Sequence, residues 1–151
     1  MKRFALLLCA VLLVLGTGWI AALDASDENR GNGMLKVVIG GMKSEKGDVK
    51  VALFNSKESF ERSGTAFRSA RAEIKNGRSE CEFGDIPFGT YAVKVYHDEN
   101  GNGKLDKNAM GQPRERYGFS NNARNTFGPP GYDQTKFLFE KADTTISVTV
   151  E

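Results

Sequence analysis

The amino-acid sequence predicts an all-β fold, an antiparallel, seven-stranded Greek-key sandwich with one long loop between strands 5 and 6. Two observations support this prediction. After residue 34, apolar and polar residues alternate in seven short segments, and a period of two is typical of strands that bury one face. Glycine-rich and asparagine-rich turns separate these segments, and little of the sequence has helical periodicity. We therefore expect residues 34–151 to form one β-sandwich domain.

The first four strands are expected to form two pairs. Strand 1 covers residues 35–39 and strand 2 covers residues 49–53, with glycine-rich turns between them that predict a hairpin. A single helical turn, capped by Asn55, is expected to follow. Strands 3 and 4, at residues 70–75 and around Cys81, are joined by the tight Asn-Gly turn at residues 76–77.

Strand 5, residues 90–97, has the most regular alternation, and strands 6 and 7 lie at residues 136–140 and 144–150. The connection 98–135 between strands 5 and 6 has no apolar periodicity. Connections of that length usually carry a function or are disordered. The aromatic residues of the segment argue against disorder, because disordered segments contain few aromatic residues.

Residues 1–22 have the composition of a secretory signal peptide, because basic residues precede an apolar run at residues 4–15 and small residues follow it. Cleavage would leave a polar linker, residues 23–33, before the domain. The alternative is a retained membrane anchor, since residues 4–23 are about long enough to cross a bilayer. We expect an exported protein, periplasmic or extracellular, which touches a membrane only through an uncleaved N-terminal segment.

Charge and cysteine content narrow the possible functions. Of the 21 Lys and Arg residues two lie in residues 1–22, so the rest of the chain has 19 basic and 19 acidic residues. This balance does not favour nucleic acid as a partner. Only Cys81 remains after cleavage, so an intramolecular disulfide cannot form. Its position in an alternating segment predicts a buried, inert thiol rather than a reactive one.

The start of the long loop has the spacing of a calcium-binding loop. Oxygen-bearing side chains occupy loop positions 1, 3, 5 and 9, glycine occupies position 6, and position 7 can offer its backbone carbonyl. Calcium takes six to eight hard oxygen ligands at flexible distances, which favours calcium over magnesium here. The predicted metal ligands are Asp98, Asn100, Asn102, Lys104 and Asp106.

The ligand pattern is incomplete at its end. Position 12, a bidentate glutamate in an EF-hand, is Ala109 in this chain. Water or another residue must complete the coordination, and Glu99 and Glu115 are the nearest candidates. We expect weak to moderate affinity, with a Kd of roughly 10⁻⁴ to 10⁻³ M, as in extracellular modules. The alternative interpretation is an unliganded polar turn formed by two Asn-Gly dipeptides.

The sequence shows no catalytic constellation. His97, the only histidine, is expected to be a hydrogen-bonded residue at the rim of the core rather than a catalytic base. One histidine and one cysteine cannot assemble a zinc site, and Ser120 lacks the Gly-x-Ser-x-Gly surroundings of a nucleophile. The long loop does contain aromatic residues that could bind a partner, namely Tyr117, Phe119, Phe127 and Tyr132.

Four segments resemble an exported bacterial family of unknown function, DUF2141. They are residues 86–93 (IPFGTYAV), 97–106 (HDENGNGKLD), 111–113 (GQP) and 117–122 (YGFSNN). The resemblance extends from residue 34 to residue 150 and implies no established activity. The Pro-x-Gly-x-Tyr step is also similar to that of transthyretin-like sandwiches, which implies an Ig-like or transthyretin-like fold by analogy. Arg116 stands where the family pattern has glycine.

Two hypotheses about function follow. The first is a non-enzymatic binding or structural module of the cell envelope, in which calcium stabilises the loop and the loop presents its aromatic residues to an unknown envelope partner. The second is recognition of a glycan or other envelope polymer, with weak hydrolase activity from Asp98, Glu99 or Glu115. Two carboxylates either about 5 Å or roughly 6.5 to 9.5 Å apart across a groove would favour hydrolysis.

Overall fold

A computed structural model describes residues 31–62 and 65–151, and the predicted signal peptide and most of the predicted linker lie outside these residues. Within the described ranges, no helix combines the length and the apolar character that crossing a bilayer requires. The described residues form nine strands, two short helices and one 3-10 turn. In chain order these elements are β1 (Asn32–Gly40), β2 (Asp48–Phe54), α1 (Lys57–Glu61), β3 (Arg68–Ala72), β4 (Ile74–Lys75), β5 (Arg78–Pro87), β6 (Gly89–Asp98), β7 (Tyr117–Phe119), the 3-10 turn (Ser120–Asn122), α2 (Tyr132–Thr135), β8 (Phe137–Phe139) and β9 (Asp143–Thr149).

The strands form two sheets that pack face to face, which confirms the predicted all-β sandwich. One sheet has the strand order β4-β5-β1-β9, and the other has the order β3-β2-β6-β7 with β8 paired to the beginning of β6. All pairings are antiparallel except that of β1 with β9, which is parallel. The prediction of a wholly antiparallel sandwich is therefore wrong at the pairing of the first strand with the last.

The predicted hairpin of the first two strands is also wrong, because β1 and β2 lie in different sheets. The apolar faces of β1 and β2 meet across the core, whereas the two strands of a hairpin would lie side by side in one sheet. Alternation predicted the inward faces correctly, but it does not say which strand is the neighbour. The connection between the strands contains two glycines with positive φ, Gly41 at 87° and Gly47 at 71°, a conformation that favours glycine.

The predicted third strand is divided between the two sheets, which is one reason for nine strands instead of seven. The chain leaves the five-stranded sheet after Ala72 and joins the four-stranded sheet at Ile74. The tight turn that follows is confirmed, with Asn76 at φ 53° and Gly77 at φ 70° between β4 and β5. The other additional strand is β7, which lies inside the connection that was expected to lack regular structure.

The main hydrophobic core lies between the sheets. Its buried members come from both sheets and are Leu35, Val37, Ile39, Val49, Val51, Leu53, Phe83, Ile86, Tyr91, Val93, Val95, Phe139, Val148 and Val150. Cys81 packs against this cluster but is half-buried, whereas a buried thiol was predicted. Burial raises the pKa of the Cys81 thiol from 9.0 to about 11, and the nearby charge of Glu82 adds to the effect.

A second, smaller core covers the outer face of the five-stranded sheet. Its members are Phe54, Phe60, Ala92, Phe119 and Tyr132. Phe60 of α1 packs edge-on against Phe54, with ring centroids 5.4 Å apart, and against Tyr132 of α2 at 5.7 Å. The N-cap of α1 is Ser56 and not Asn55. This core fixes the long connection to the sheet, because Phe119 and Tyr132 both belong to that connection.

Candidate functional site

The acidic loop begins where β6 ends, at Asp98. The Asp98 side chain is fully buried, and its two carboxylate oxygens accept the backbone N–H groups of Asn102 at 3.0 Å and Gly103 at 2.8 Å. Gly101 and Gly103 have φ angles of 73° and 77°, which favour glycine and let the backbone curl around the carboxylate. The first predicted ligand therefore also organises the loop.

The side chains of Asn100 and Asn102 also turn into the loop. Asn100 Oδ1 accepts the N–H of Asn102 at 3.0 Å, and Asn102 Oδ1 accepts the N–H of Lys104 at 2.8 Å. Their Nδ2 groups donate to the two oxygens of Asp106, at 2.7 Å from Asn100 and 3.0 Å from Asn102. The structure thus brings together all five predicted residues. Lys104 takes part through its backbone N–H, and its side chain is exposed.

Glu115 joins the loop from nine residues beyond Asp106. Its side chain is only 7 % exposed. One carboxylate oxygen accepts the N–H of Glu99 at 3.0 Å, and the other accepts the N–H of Asp106 at 2.9 Å. Glu99 and Glu115 were the two candidates for completing the coordination. The structure places the carboxylate of Glu115 at the loop, whereas Glu99 contacts it through its backbone N–H, which donates to Glu115.

A third buried carboxylate, that of Asp48, lies at the base of the loop. Asp48 is 2 % exposed and is the register partner of Asp98 across β2 and β6. Lys50 Nζ lies 2.9 Å from Asp48 Oδ1 and 3.6 Å from Asp98 Oδ2, and Arg71 also forms an ion pair with Asp48. Neither oxygen of Asp48 has a hydrogen-bond partner among the described residues, so ion pairs alone hold this carboxylate. No local spacing in the sequence marks this cluster, because only the strand register brings Asp48, Lys50 and Asp98 together.

His97 lies in β6, directly before Asp98, the first residue of the loop. It is fully buried, and its Nε2 donates to the Lys46 carbonyl at 2.7 Å, so the proton is on Nε2. Its backbone N–H donates to the Arg116 carbonyl at 2.9 Å. The predicted hydrogen-bonded role is confirmed, although the side chain lies inside the core and not at its rim.

The four aromatic residues of the connection differ in exposure and do not form one surface. Phe119 and Tyr132 are 5 % and 8 % exposed and belong to the second core. Tyr117 is half-buried, whereas Phe127 is 91 % exposed. Ser120 links the connection to the sheet, because its hydroxyl donates to the Thr135 carbonyl at 2.6 Å and accepts the Val93 N–H at 2.9 Å.

Two adjoining grooves lie beside the loop and share Leu105, Tyr117 and Phe119. The first groove, of about 450 Å³, lies on the outer face of the five-stranded sheet. The second groove, of about 580 Å³, lies between the loop segments 105–113 and 125–129. The remaining residues lining the first groove are Lys50, Val51, Ala52, Ser69, Ala70, Lys94, Val95, Tyr96 and Gly118.

The donor atoms of the loop set limits on any metal site. In the part of the chain that the structure describes, no three side chains from His, Cys, Asp or Glu are grouped so that they could hold a metal ion. An ion at Asp98 and Asp106 would therefore also need oxygens from amides, carbonyls or water. Such a mixed set of oxygen ligands suits calcium.

Comparison with known proteins identifies a family for this chain but no relative of known function. A family model described as "Uncharacterized protein conserved in bacteria (DUF2141)" matches residues 37–147. Neither the curated proteins nor the solved structures include a match. The matched residues contain the acidic loop, Glu115 and both grooves. The chain belongs to the DUF2141 family of uncharacterized bacterial proteins.

Proposed function

We propose that the protein is an exported, non-enzymatic binding or structural module of the cell envelope, in which calcium stabilises the loop 98–106. The observation that carries this proposal is the convergence of the oxygen-bearing side chains at loop positions 1, 3, 5 and 9. Two of these side chains are carboxylates, and the buried carboxylate of Glu115 adds a further negative charge. A divalent cation would balance this charge.

The calcium ligands in this proposal are two carboxylates, two amide oxygens and one backbone carbonyl. They come from Asp98, Asn100, Asn102, Lys104 and Asp106, with water completing the set, since among the described residues Asp98 and Asp106 are not grouped with a third carboxylate that could hold the ion. In the structure, the amide NH₂ groups of both asparagines face Asp106. Calcium would take the place of these NH₂ groups beside Asp106. Rotation of the two amides would turn their oxygens towards the ion, at the expense of the hydrogen bonds that these oxygens accept from the N–H groups of Asn102 and Lys104.

Calorimetric titration and thermal unfolding of the full chain test this proposal. At a calcium concentration 100 times Kd, binding should stabilise the fold by about 2.7 kcal/mol, and magnesium should stabilise it less. Asp106→Ala should abolish the stabilisation, whereas the control Asp143→Ala, at an exposed position of β9, should preserve it. Absence of heat up to millimolar calcium, together with unchanged melting and unchanged proteolysis of residues 98–135, would refute calcium binding.

In this proposal the ion fixes the long connection, residues 98–135, and thereby the aromatic residues with which the connection would contact a partner. Tyr96 connects the loop to the sheet, because its hydroxyl donates to the Gly103 carbonyl at 2.9 Å. Leu105 of the loop lines both grooves. A stiffer loop would therefore hold the groove walls in place for an envelope partner, with Tyr117 and Phe127 as the more exposed contacts. Export is tested by the mass of the protein recovered outside the cytoplasm, which should correspond to cleavage near residue 22.

One observation favours carbohydrate recognition as a second candidate function. The second groove contains the half-buried ring of Tyr117 beside the polar side chains of Gln112, Asn125 and Thr126. Aromatic rings stack on the apolar faces of sugars, and amides and hydroxyls bond to sugar hydroxyl groups. A glycan array tests this function, and hits should be lost in Tyr117→Ala. An array without hits, alongside clear calcium stabilisation, would favour the first proposal.

We also propose that the sandwich has Greek-key connectivity and is related to Ig-like or transthyretin-like sandwiches. The crossing of β1 to β2 between sheets supports this relationship, because hairpin-connected sheets would keep consecutive strands together. An experimental structure superposed on such sandwiches tests it. A strand order that matches neither group would contradict it.

A further inference from the structure

The floor of the first groove consists of small residues on the outer face of the five-stranded sheet. Ala52 of β2 lies opposite Ser69 of β3 on one side and Lys94 of β6 on the other. Gly118 of β7 completes the lining beyond Val95. The small side chains leave a depression of about 450 Å³, which lies within the range of about 300 to 1,000 Å³ that is typical of small-molecule sites.

The walls of this groove are apolar and aromatic. Tyr96 and Tyr117 are register partners on β6 and β7, and Phe119 is the partner of Lys94. The rings of Tyr117 and Phe119 pack edge-on at 5.8 Å, which fixes the orientation of both. Leu105 contributes from the acidic loop. Such walls suit a ligand with an acyl or aromatic body.

Among the described residues that line the groove, the charged ones are two lysines, Lys50 and Lys94. The ammonium of Lys50 forms ion pairs with Asp48 and Asp98. Lys94 differs, since its ammonium donates to the Phe60 carbonyl and lies 4.0 Å from the centroid of the Phe60 ring. Among the described residues, no carboxylate lies within ion-pair distance of Lys94. An ammonium has three donors, so two remain for a ligand.

We propose that this groove binds a small amphipathic molecule with a single carboxylate, a short acyl or aromatic acid. The apolar body lies over Ala52, Ser69 and Gly118 between the aromatic walls. The carboxylate accepts a hydrogen bond from the ammonium of Lys94, which thereby gains a counter-ion in direct contact. Burial lowers the pKa of Lys94, so a bound anion also offsets the cost of keeping this lysine charged. This site goes beyond the calcium loop and does not depend on metal binding.

Fluorescence titration of the full chain tests the proposal, with 8-anilinonaphthalene-1-sulfonate as the probe and decanoate and decanol as competitors. The titrations are carried out with and without calcium, so that failure of the calcium proposal is measured separately. We expect decanoate to displace the probe at least about tenfold more effectively than decanol, because a charge-assisted hydrogen bond contributes roughly that factor.

Two variants separate the charge from the shape of the groove. Lys94→Met keeps the apolar stem and should weaken decanoate binding about tenfold or more while changing decanol binding less than twofold. Its control is Lys75→Met, at an exposed position of β4 in the other sheet. Ser69→Trp fills the floor from an exposed strand position and should weaken both competitors and the probe, with Thr145→Trp on β9 as its control.

Several results would overturn the proposal. Equal decanoate affinity in Lys94→Met and Lys75→Met would exclude recognition through Lys94. An equal loss of decanoate and decanol in Lys94→Met would show that the ammonium does not recognise the carboxylate. Unchanged binding in Ser69→Trp would place the ligand elsewhere, and lack of probe binding under both calcium conditions would exclude the groove as a site.

Discussion

Replacing Glu115 with glutamine removes the charge of the residue that closes the acidic loop and changes its size very little. The two carboxylate oxygens of Glu115 accept backbone N–H groups at 3.0 and 2.9 Å. Glutamine has one accepting oxygen and one NH₂ group, so one of the two backbone donors would face another donor. A hydrogen bond to a charged group contributes about 1.5 to 3 kcal/mol, and a buried donor without a partner costs about 1 to 3 kcal/mol. Since Glu115 is 7 % exposed, we expect Glu115→Gln to lower the free energy of unfolding by about 2 to 4 kcal/mol.

Urea unfolding measures this change, and amide hydrogen exchange locates it. Exchange at the N–H groups of Glu99 and Asp106 should accelerate in the variant, because one of them loses its acceptor. Glu99→Gln is the matched control, since it removes a carboxylate of the same loop whose oxygens accept no hydrogen bond from the described residues. If both variants unfold within about 0.5 kcal/mol of each other, and both amides keep their protection, Glu115 does not close the loop.

Two further predictions concern Gly47 and Cys81. Gly47→Ala should destabilise the fold by about 4 kcal/mol or more, because a Cβ there would lie 1.9 Å from the Asp98 carbonyl oxygen. The control Gly77→Ala has nearly the same φ and open space around it, so it should cost only about 1 to 2 kcal/mol in chemical denaturation. Equal losses would contradict the close approach. Alkylation of Cys81 by iodoacetamide at pH 8 should be about 100-fold slower than in the urea-unfolded chain, because the pKa of the folded thiol is raised from 9.0 to about 11. The folded thiol holds its proton more tightly, so its contribution to stability is complete below pH 9 and decreases as the pH rises towards about 11. Mass spectrometry of the peptide containing Cys81 measures the rate, and equal rates in the folded and unfolded chain would show an accessible thiolate.

Sequence periodicity predicted the buried faces of the strands but not all of their neighbours. Val37 and Val51 both lie in the core, yet their strands belong to different sheets. Alternation reports only which side of a strand is apolar. The Asn-Gly turn at residues 76–77 could be predicted because its conformation depends on the two residues themselves. The parallel pairing of β1 with β9 joins segments more than a hundred residues apart, and no local pattern marks it.

The acidic loop was similarly predictable where its contacts are local. Asp98, Asn100 and Asn102 contact one another within a few residues, so their spacing alone indicates a common centre. Glu115 could be named only as one of two candidates, because the path of the chain between Asp106 and Glu115 was unknown. Asp48 could not be found, since it reaches Asp98 through the register of two strands. Likewise, the sequence did not show that Phe119 and Tyr132 anchor the connection in a second core.

The parallel pairing of β1 with β9 has a mechanical consequence for a protein proposed to work in the cell envelope. Seven consecutive residue pairs, from Met34–Asp143 to Gly40–Thr149, join the first and last strands of the domain. A force that pulls residue 32 away from residue 151 slides these strands past each other and loads their hydrogen bonds together. A force between residues 32 and 87, which face each other at one end of an antiparallel pair, opens the bonds one after another. Single-molecule pulling should therefore show a higher unfolding force for the first attachment than for the second. Equal forces would contradict a role of the pairing of β1 with β9 in resisting the pull.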